Sequence, residues 1–171
     1  MEQAEIGLSG LGVMGANLSL NIAEKGNRIA VVNRTPEVTR KFYAEAGDLQ
    51  KNIVPCETLE EFVAAIRPPR PIIIMIKAGD PVDQQMELLK PYLANGDIMI
   101  DAGNANFRDT MRRFDNLKDS GLTFIGMGVS GGEEGARHGP SIMVGGKEES
   151  WKRVEKVLTS ISAKFNGEAC V

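Results

Sequence analysis

The chain is poor in the residues that hold metals or cross-link: two cysteines, Cys56 and Cys170, and a single histidine, His138, among 171 residues. The cysteines have no metal-ligand spacing and could form at most one disulfide, so no metal site is expected. Two free thiols in a reducing compartment is the expectation. Long apolar runs are also missing. The longest aliphatic-and-methionine run, Ile72 to Ile76, is far below the roughly 20 residues a membrane-spanning helix needs. Nor is there an excess of positive charge: 20 Lys and Arg stand against 23 Asp and Glu, for a net charge of −3. That argues against nucleic acid or an anionic membrane as the main partner. The opening Met1-Glu2-Gln3-Ala4-Glu5 lacks the basic and apolar regions of a signal peptide, and a cytoplasmic location is expected. With no repeat, low-complexity run or linker, residues 1–171 read as one domain large enough for a sizeable core.

What the chain does have is glycine, 19 residues of it, much of it at apparent strand-to-helix turns. The organising stretch is Ile6-Gly7-Leu8-Ser9 running into Gly10-Leu11-Gly12-Val13-Met14-Gly15. In such a Gly-x-Gly-x-x-Gly turn the first glycine permits the tight turn and the second lets a pyrophosphate approach the backbone. The third lets the helix pack closely on the strand. The positive end of that helix then faces the phosphates.

Behind it the pattern alternates. A strand over 4–9 precedes a helix with Met14, Leu18 and Ile22 on one face and Gly26 as its stop. Ile29 to Val32 reads as a buried parallel strand. Thr35-Pro36-Glu37 reads as the cap, first residue and first-turn acid of a second helix. Thr58-Leu59-Glu60-Glu61 is a capping box. A buried strand over 72–76, a helix from Asp80, a strand over 98–101, a helix over 106–120 and a strand over 122–125 follow. The 106–120 helix places Met111, Phe114 and Leu117 at helical spacing. After these come a glycine-rich segment from Gly126 to Gly139, a short strand from Ser141 to Val144, and a last helix with Trp151, Val154, Leu158 and Ile161 on one side. Strand–helix alternation throughout predicts an α/β fold with a Rossmann-like, doubly wound, mostly parallel sheet.

Ligands in such folds bind beyond the carboxyl ends of the strands. The segments following the strands are therefore expected to converge: the glycine turn, Asn33-Arg34-Thr35, Lys77-Ala78-Gly79, Asp101 to Asn104, and Gly126 to Gly132. An NAD site usually carries Asp or Glu about 20 residues beyond the glycine motif. Here that place holds Asn33, Arg34 and Thr35. A carboxylate would repel a 2′-phosphate, whereas Arg34 would pair with it and could stack on adenine, so NADP is the expected cofactor.

These motifs resemble 6-phosphogluconate dehydrogenase in order and spacing. They are Gly10-Leu11-Gly12-Val13-Met14-Gly15-x-Asn17-Leu18, Asn33-Arg34-Thr35, Lys77-Ala78-Gly79, Asp101-x-Gly103-Asn104 and Ser130-Gly131-Gly132-Glu133-Glu134-Gly135-Ala136-Arg137. The resemblance covers essentially the whole chain, as that family's N-terminal coenzyme domain. The Ser130 motif separates it from the looser β-hydroxyacid dehydrogenases. Gly12 stands where many members have Ala. The resemblance implies oxidative decarboxylation of 6-phosphogluconate to ribulose 5-phosphate and CO2, with NADP taking the hydride, no metal, and a homodimeric full-length enzyme. It assigns Gly10 to Gly15 to the pyrophosphate, Asn33 to Thr35 to the adenosine phosphate, and Ile76, Lys77 and Ala78 to the cofactor path. Asn104 would lie between nicotinamide and substrate, and Ser130, Gly131 and Gly132 would bind the substrate.

Such a reaction needs a base for the hydroxyl proton and an acid for the enediol left after CO2 loss. The family's lysine and glutamate for these roles lie in a stretch that does not occur here and is expected shortly after Val171, in a helical domain absent from this chain. The isolated chain is therefore expected to bind NADP without turnover. His138 is expected at the surface or as a cap, and Glu133 and Glu134 as first-turn acids favouring a helix dipole. Gly145-Gly146-Lys147 lacks the flanking residues of a nucleotidase phosphate loop. Two alternatives remain: the coenzyme domain of another β-hydroxyacid dehydrogenase, and a stand-alone NADP-sensing module.

Overall fold

The computed structural model describes residues 2–171. Nine strands and seven α-helices follow one another along these residues. The first half is β1 (Ile6–Ser9), α1 (Val13–Glu24), β2 (Ile29–Val32), α2 (Pro36–Glu45), β3 (Ile53–Cys56), α3 (Leu59–Ala64), β4 (Pro71–Ile74) and α4 (Asp80–Leu89). The second half is β5 (Ile98–Asp101), α5 (Phe107–Leu117), β6 (Thr123–Ser130), α6 (Gly132–His138), β7 (Ser141–Gly145), α7 (Glu148–Ile161) and a small hairpin of β8 (Lys164–Phe165) and β9 (Glu168–Ala169). Seven strands form one sheet in the order β3-β2-β1-β4-β5-β6-β7. All neighbours are parallel except β6 and β7.

The order reverses between β1 and β4, and this reversal creates the crevice where a doubly wound sheet takes its ligand. Strands β1, β2, β4 and β5 are buried along their whole length, as continuous apolar runs covered on both faces must be. Two apolar layers result. One face packs Leu8, Ile73, Ile100 and Ile125 against α1 and α7 residues such as Leu18, Ile22, Val154 and Leu158. The other packs Ile72, Ile74 and Met99 against Phe62, Val82, Met86 and Leu89. Each fully buried side chain of this kind contributes about 1.5–3 kcal/mol relative to exposure.

Several local expectations hold. Thr58 and Glu61 form both bonds of the capping box. Thr35 has the extended backbone of an N-cap with Pro36 behind it, but its side chain caps nothing. Others are corrected. β1 starts at Ile6, with Ala4 held only in an isolated bridge to Ile66. β4 stops at Ile74, so Met75 and Ile76 already belong to the cleft-forming loop.

The largest correction concerns the glycine-rich segment. The strand expected over 122–125 runs on to Ser130, so that Gly126 to Ser130 is the second half of β6, paired antiparallel with β7 from Gly126↔Gly145 to Ser130↔Ser141. Gly126 is needed for closeness, since a Cβ there would strike the Thr110 side chain, whereas one on Gly128 would meet only the flexible end of exposed Met143. Met111 is 55% exposed rather than packed, whereas Leu117 is buried and Phe114 packs as expected, and α5 also buries Arg113, at 1% exposure.

Candidate functional site

The glycine turn is shaped by two close approaches. Gly10 has φ +108°, and a Cβ there would collide with the Met75 carbonyl oxygen, which only glycine avoids at no cost. A Cβ on Gly15 would fall on the Gly10 carbonyl oxygen, with Leu8 Cδ2 a further 3.2 Å neighbour. Thus Gly15 lets α1 begin directly against the turn. Gly12 differs: a Cβ there meets nothing within 4 Å, so open space lies over the start of α1. The first N–H groups of a helix have no intrahelical acceptor, and α1 offers its own towards this space.

Asn33 ties the end of β2 to the same turn. Its Oδ1 accepts the Leu11 backbone N–H at 3.0 Å, and its own N–H donates to Thr39 Oγ1 at 3.0 Å. Leu11 itself is buried in the core at 7% exposure. Its N–H is therefore already engaged and its side chain faces away from the cleft.

Two adjoining cavities follow the carboxyl ends of the strands. One of about 430 Å³ is lined by Ser9, Gly10, Asn33, Arg34, Thr35, Ile76 and Lys77, together with Pro81, Gln84, Gln85 and Leu88 of α4. The other, about 490 Å³, is lined by Gly10, Gly12, Val13, Met14, Gly15, Asn33, Met75, Ile76 and Lys77, with Ala102, Gly103, Asn104 and Val129 across from them. Gly10, Asn33, Ile76 and Lys77 belong to both, so they form one continuous cleft laid across the glycine turn.

The cleft brings together eleven of the sixteen residues singled out from the sequence. Leu11 is turned into the core, and Ala78 is half-buried outside the lining. Ser130, Gly131 and Gly132 are exposed at the end of β6, where only their neighbour Val129 reaches the lining.

Electrostatically the cleft is one-sided. Arg34 and Lys77 line these two cavities and, among the described residues, no carboxylate does, while a further recess of about 200 Å³ that continues past Arg34 is bounded by Glu57. The nearby acids are taken up elsewhere, because Arg40 holds both Glu37 and Glu57 at 2.6 Å. Arg34 is exposed and makes no ion pair with a described residue. The geometry therefore suits an elongated anionic ligand with one charged end beside Arg34.

The far wall is positioned by a buried charge network that the sequence pattern does not announce. Arg113, on α5, donates from Nη1 to Asp101 Oδ2 at 2.8 Å and from Nε and Nη2 to Asp83 at 2.9 and 2.8 Å. Its Nη2 also donates to the Gly79 carbonyl at 3.0 Å. Asp101 Oδ1 in turn accepts the Gly103 N–H at 3.1 Å. One guanidinium thus fixes the loops after β4 and β5. Its hydrogen bonds hold the Asp83 carboxyl below the usual carboxylate range, and Asp83 raises the arginine in return.

Beyond this anchor the backbone reaches Asn104 at φ +61°, a left-handed turn position that asparagine tolerates. It is exposed and projects from the loop that lines the cleft. On the other side Arg137 clamps Glu24 with two 3.0 Å bonds, and Asn21 donates to the Ala136 and Ile161 carbonyls at 3.1 Å. These bonds hold α6, and the Ser130 segment before it, against α1. His138 ends α6 at the surface, 3.7 Å from Glu134.

Sequence reasoning missed the wall supplied by α4. Gln85 donates to Ser9 Oγ at 3.1 Å, and Leu88, at 58% exposure, borders the Arg34 end. A signal was present: Pro81, Gln84, Gln85 and Leu88 recur at helical spacing on a face of α4 beside the one that buries Val82, Met86 and Leu89.

Comparison with known proteins agrees with this geometry. Residues 5–170 match the model of the NAD binding domain of 6-phosphogluconate dehydrogenase. The chain is 50% identical to the decarboxylating 6-phosphogluconate dehydrogenase of Chlamydia pneumoniae over 168 residues, which is 98% of this chain and 35% of that enzyme. It is 48% identical to the NADP(+)-dependent decarboxylating enzyme of Bacillus subtilis over 99% of this chain and 36% of that one. The 6-phosphogluconate dehydrogenase of Plasmodium falciparum, solved in apo form and in complexes with NADP+ and with 6-phosphogluconate, superposes with a TM-score of 0.91. That match has 40% identity and covers 97% of this chain and 36% of that one. The chain thus spans about a third of the length of the relatives it matches. It belongs to the family of the NAD binding domain of 6-phosphogluconate dehydrogenase.

Proposed function

We propose that residues 1–171 are the coenzyme domain of an NADP-dependent, decarboxylating 6-phosphogluconate dehydrogenase. The observation that carries this reading is a cleft at the β1–β4 reversal lined by Arg34 and Lys77, with Arg34 free of ion pairs to described residues and the neighbouring Glu57 held by Arg40. Open space above Gly12 leaves room for a pyrophosphate against the start of α1. Arg34, exposed at the end of β2, would hold the 2′-phosphate, with Thr35 adding a neutral hydrogen bond. Asn33 acts one step back, by fixing the turn through Leu11. Val13, Met14, Ile76 and Lys77 would flank the rest of the cofactor.

NADP, when bound, supplies the hydride acceptor. Asn104, uncharged and able both to donate and accept, would orient the nicotinamide carboxamide and the substrate. Ser130, Gly131 and Gly132 would contribute hydroxyl and backbone N–H groups to 6-phosphogluconate. The base and acid of the reaction would come from a further, helical part of the enzyme, which would also supply most of a homodimer interface. The setting would be the cytoplasm.

Purified 171-residue chain tests this directly. It is expected to bind NADP and to form no NADPH when 6-phosphogluconate is added. NADPH formation dependent on 6-phosphogluconate would overturn the division of labour, and absence of NADP binding would overturn the site.

A further inference from the structure

At the opposite end of the sheet, about 13 Å of strand away from the glycine turn, lies a third cavity of about 530 Å³. It is bounded by the segment before β1, the α1–β2 turn, the approach to β3, Arg67 in the link between α3 and β4, and the face of α7. Its lining carries six cations, Arg28, Lys51, Arg67, Lys152, Arg153 and Lys156, against two carboxylates, Glu2 and Glu5. That local excess of positive charge sits in a chain whose net charge is −3.

The acids present offset it only in part, Lys152 being paired with Glu148 at 3.0 Å. Glu5 is shared, at 2.6 Å from Arg67 and 3.7 Å from Arg153. Arg153 is fixed by bonds to the carbonyls of Pro69, Glu5 and Arg67 at 2.9, 3.0 and 3.1 Å. Arg28 is fixed through the Lys51 carbonyl at 2.8 Å. Lys51 and Lys156 are exposed and make no ion pair with a described residue. Burial, and next the charge of Arg67, make protonation of Arg153 harder than usual. A bound anion would relieve that crowding.

We propose that this cleft is a second ligand site, distinct from the coenzyme cleft, for a small polyanion carrying two or more phosphate groups. Three features select that class. The volume lies within the range of small-molecule sites, roughly 300–1,000 Å³. The guanidinium groups of Arg28, Arg67 and Arg153 fix positive charge at set positions before any ligand arrives, which reduces the ordering cost of binding. Lys51 and Lys156 approach from different elements, so a ligand with two separated charges would engage both.

Tripolyphosphate is the probe, titrated into isotopically labelled chain and followed by backbone amide shifts. The expected result is a saturable shift set centred on Arg28, Lys51 and Arg153. It should weaken at least about tenfold in Lys51→Glu/Lys156→Glu, the scale of one lost charge-assisted contact, and persist in Arg34→Ala. Both lysines are exposed, and an unchanged melting temperature of the double variant would confirm that its fold is intact. Binding lost only in Arg34→Ala would show that the coenzyme cleft alone takes phosphates and would overturn the proposal. So would shifts that never saturate, or that survive the double charge reversal.

Discussion

The side-chain oxygen of Asn33 accepts the backbone N–H of Leu11 at 3.0 Å, joining the end of the second strand to the first glycine turn. Two segments that line the same cleft are thereby locked together. Asn33→Ala removes one acceptor from a partly buried N–H and should cost about 1–2 kcal/mol of stability. NADP affinity should fall as well, because Asn33 both fixes the turn and lines the cleft. Urea denaturation and calorimetry on the same variant check both.

The last glycine of the turn and the middle one should respond to a methyl group to very different degrees. Gly15→Ala places a Cβ on the Gly10 carbonyl oxygen, and backbone cannot move aside cheaply. That variant is expected to lose several kcal/mol or fail to fold. Gly12→Ala meets nothing within 4 Å and should cost at most about 1 kcal/mol, the scale of a helix-cap change. Thermal melts of the two proteins side by side give the comparison.

Arg113 anchors the loops after β4 and β5 through Asp83, Asp101 and the Gly79 carbonyl. Arg113→Met strands buried carboxylate and should destabilise by about 3–5 kcal/mol, the usual cost of removing one partner of a buried pair. The pH dependence has a definite sign. Asp83 is shifted downward in the folded state, so its contribution is complete above its unfolded pKa, near 4, and is lost as pH falls through the lower folded value. Acid titration of stability should therefore show a larger loss below pH 4 in the parent than in Asp83→Asn.

Burial pushes the Cys56 thiol up to about 12, while Cys170 is only partly buried. At pH 8 a disulfide reagent should modify one thiol per native chain quickly, and mass mapping should place it at Cys170. The second thiol should react only on unfolding.

Much of the fold is legible in residue pattern because each central strand is a short, unbroken apolar run and each helix has a cap or stop of known chemistry. Ile29 to Val32 and the Thr58–Glu61 box are examples. The pattern fails where local chemistry and tertiary role diverge. Gly126 to Ser130 breaks the apolar run because it is rich in glycine, yet it continues the strand, with Gly126 leaving room for Thr110. Ile53-Val54-Pro55-Cys56 is an edge strand interrupted by proline, which weakens its signal. Arg113 occupies a core position because two aspartates distant in sequence neutralise it, and hydrophobic periodicity assigns such a place to Met111 instead. In the site, Arg34 and the glycines follow from spacing along one βαβ unit. The α4 wall and the inward turn of Leu11 depend on packing between units.

The central claim is that Arg34 makes this an NADP cleft. Calorimetric titration of the 171-residue chain with NADP and with NAD, repeated on Arg34→Ala, tests it most directly. One charge-assisted phosphate contact is worth about 1.5–3 kcal/mol, so NADP should bind roughly ten- to a hundred-fold more tightly than NAD, and the variant should lose most of that preference while keeping its NAD affinity. Equal affinities in the parent, or an undiminished preference in Arg34→Ala, would contradict the account.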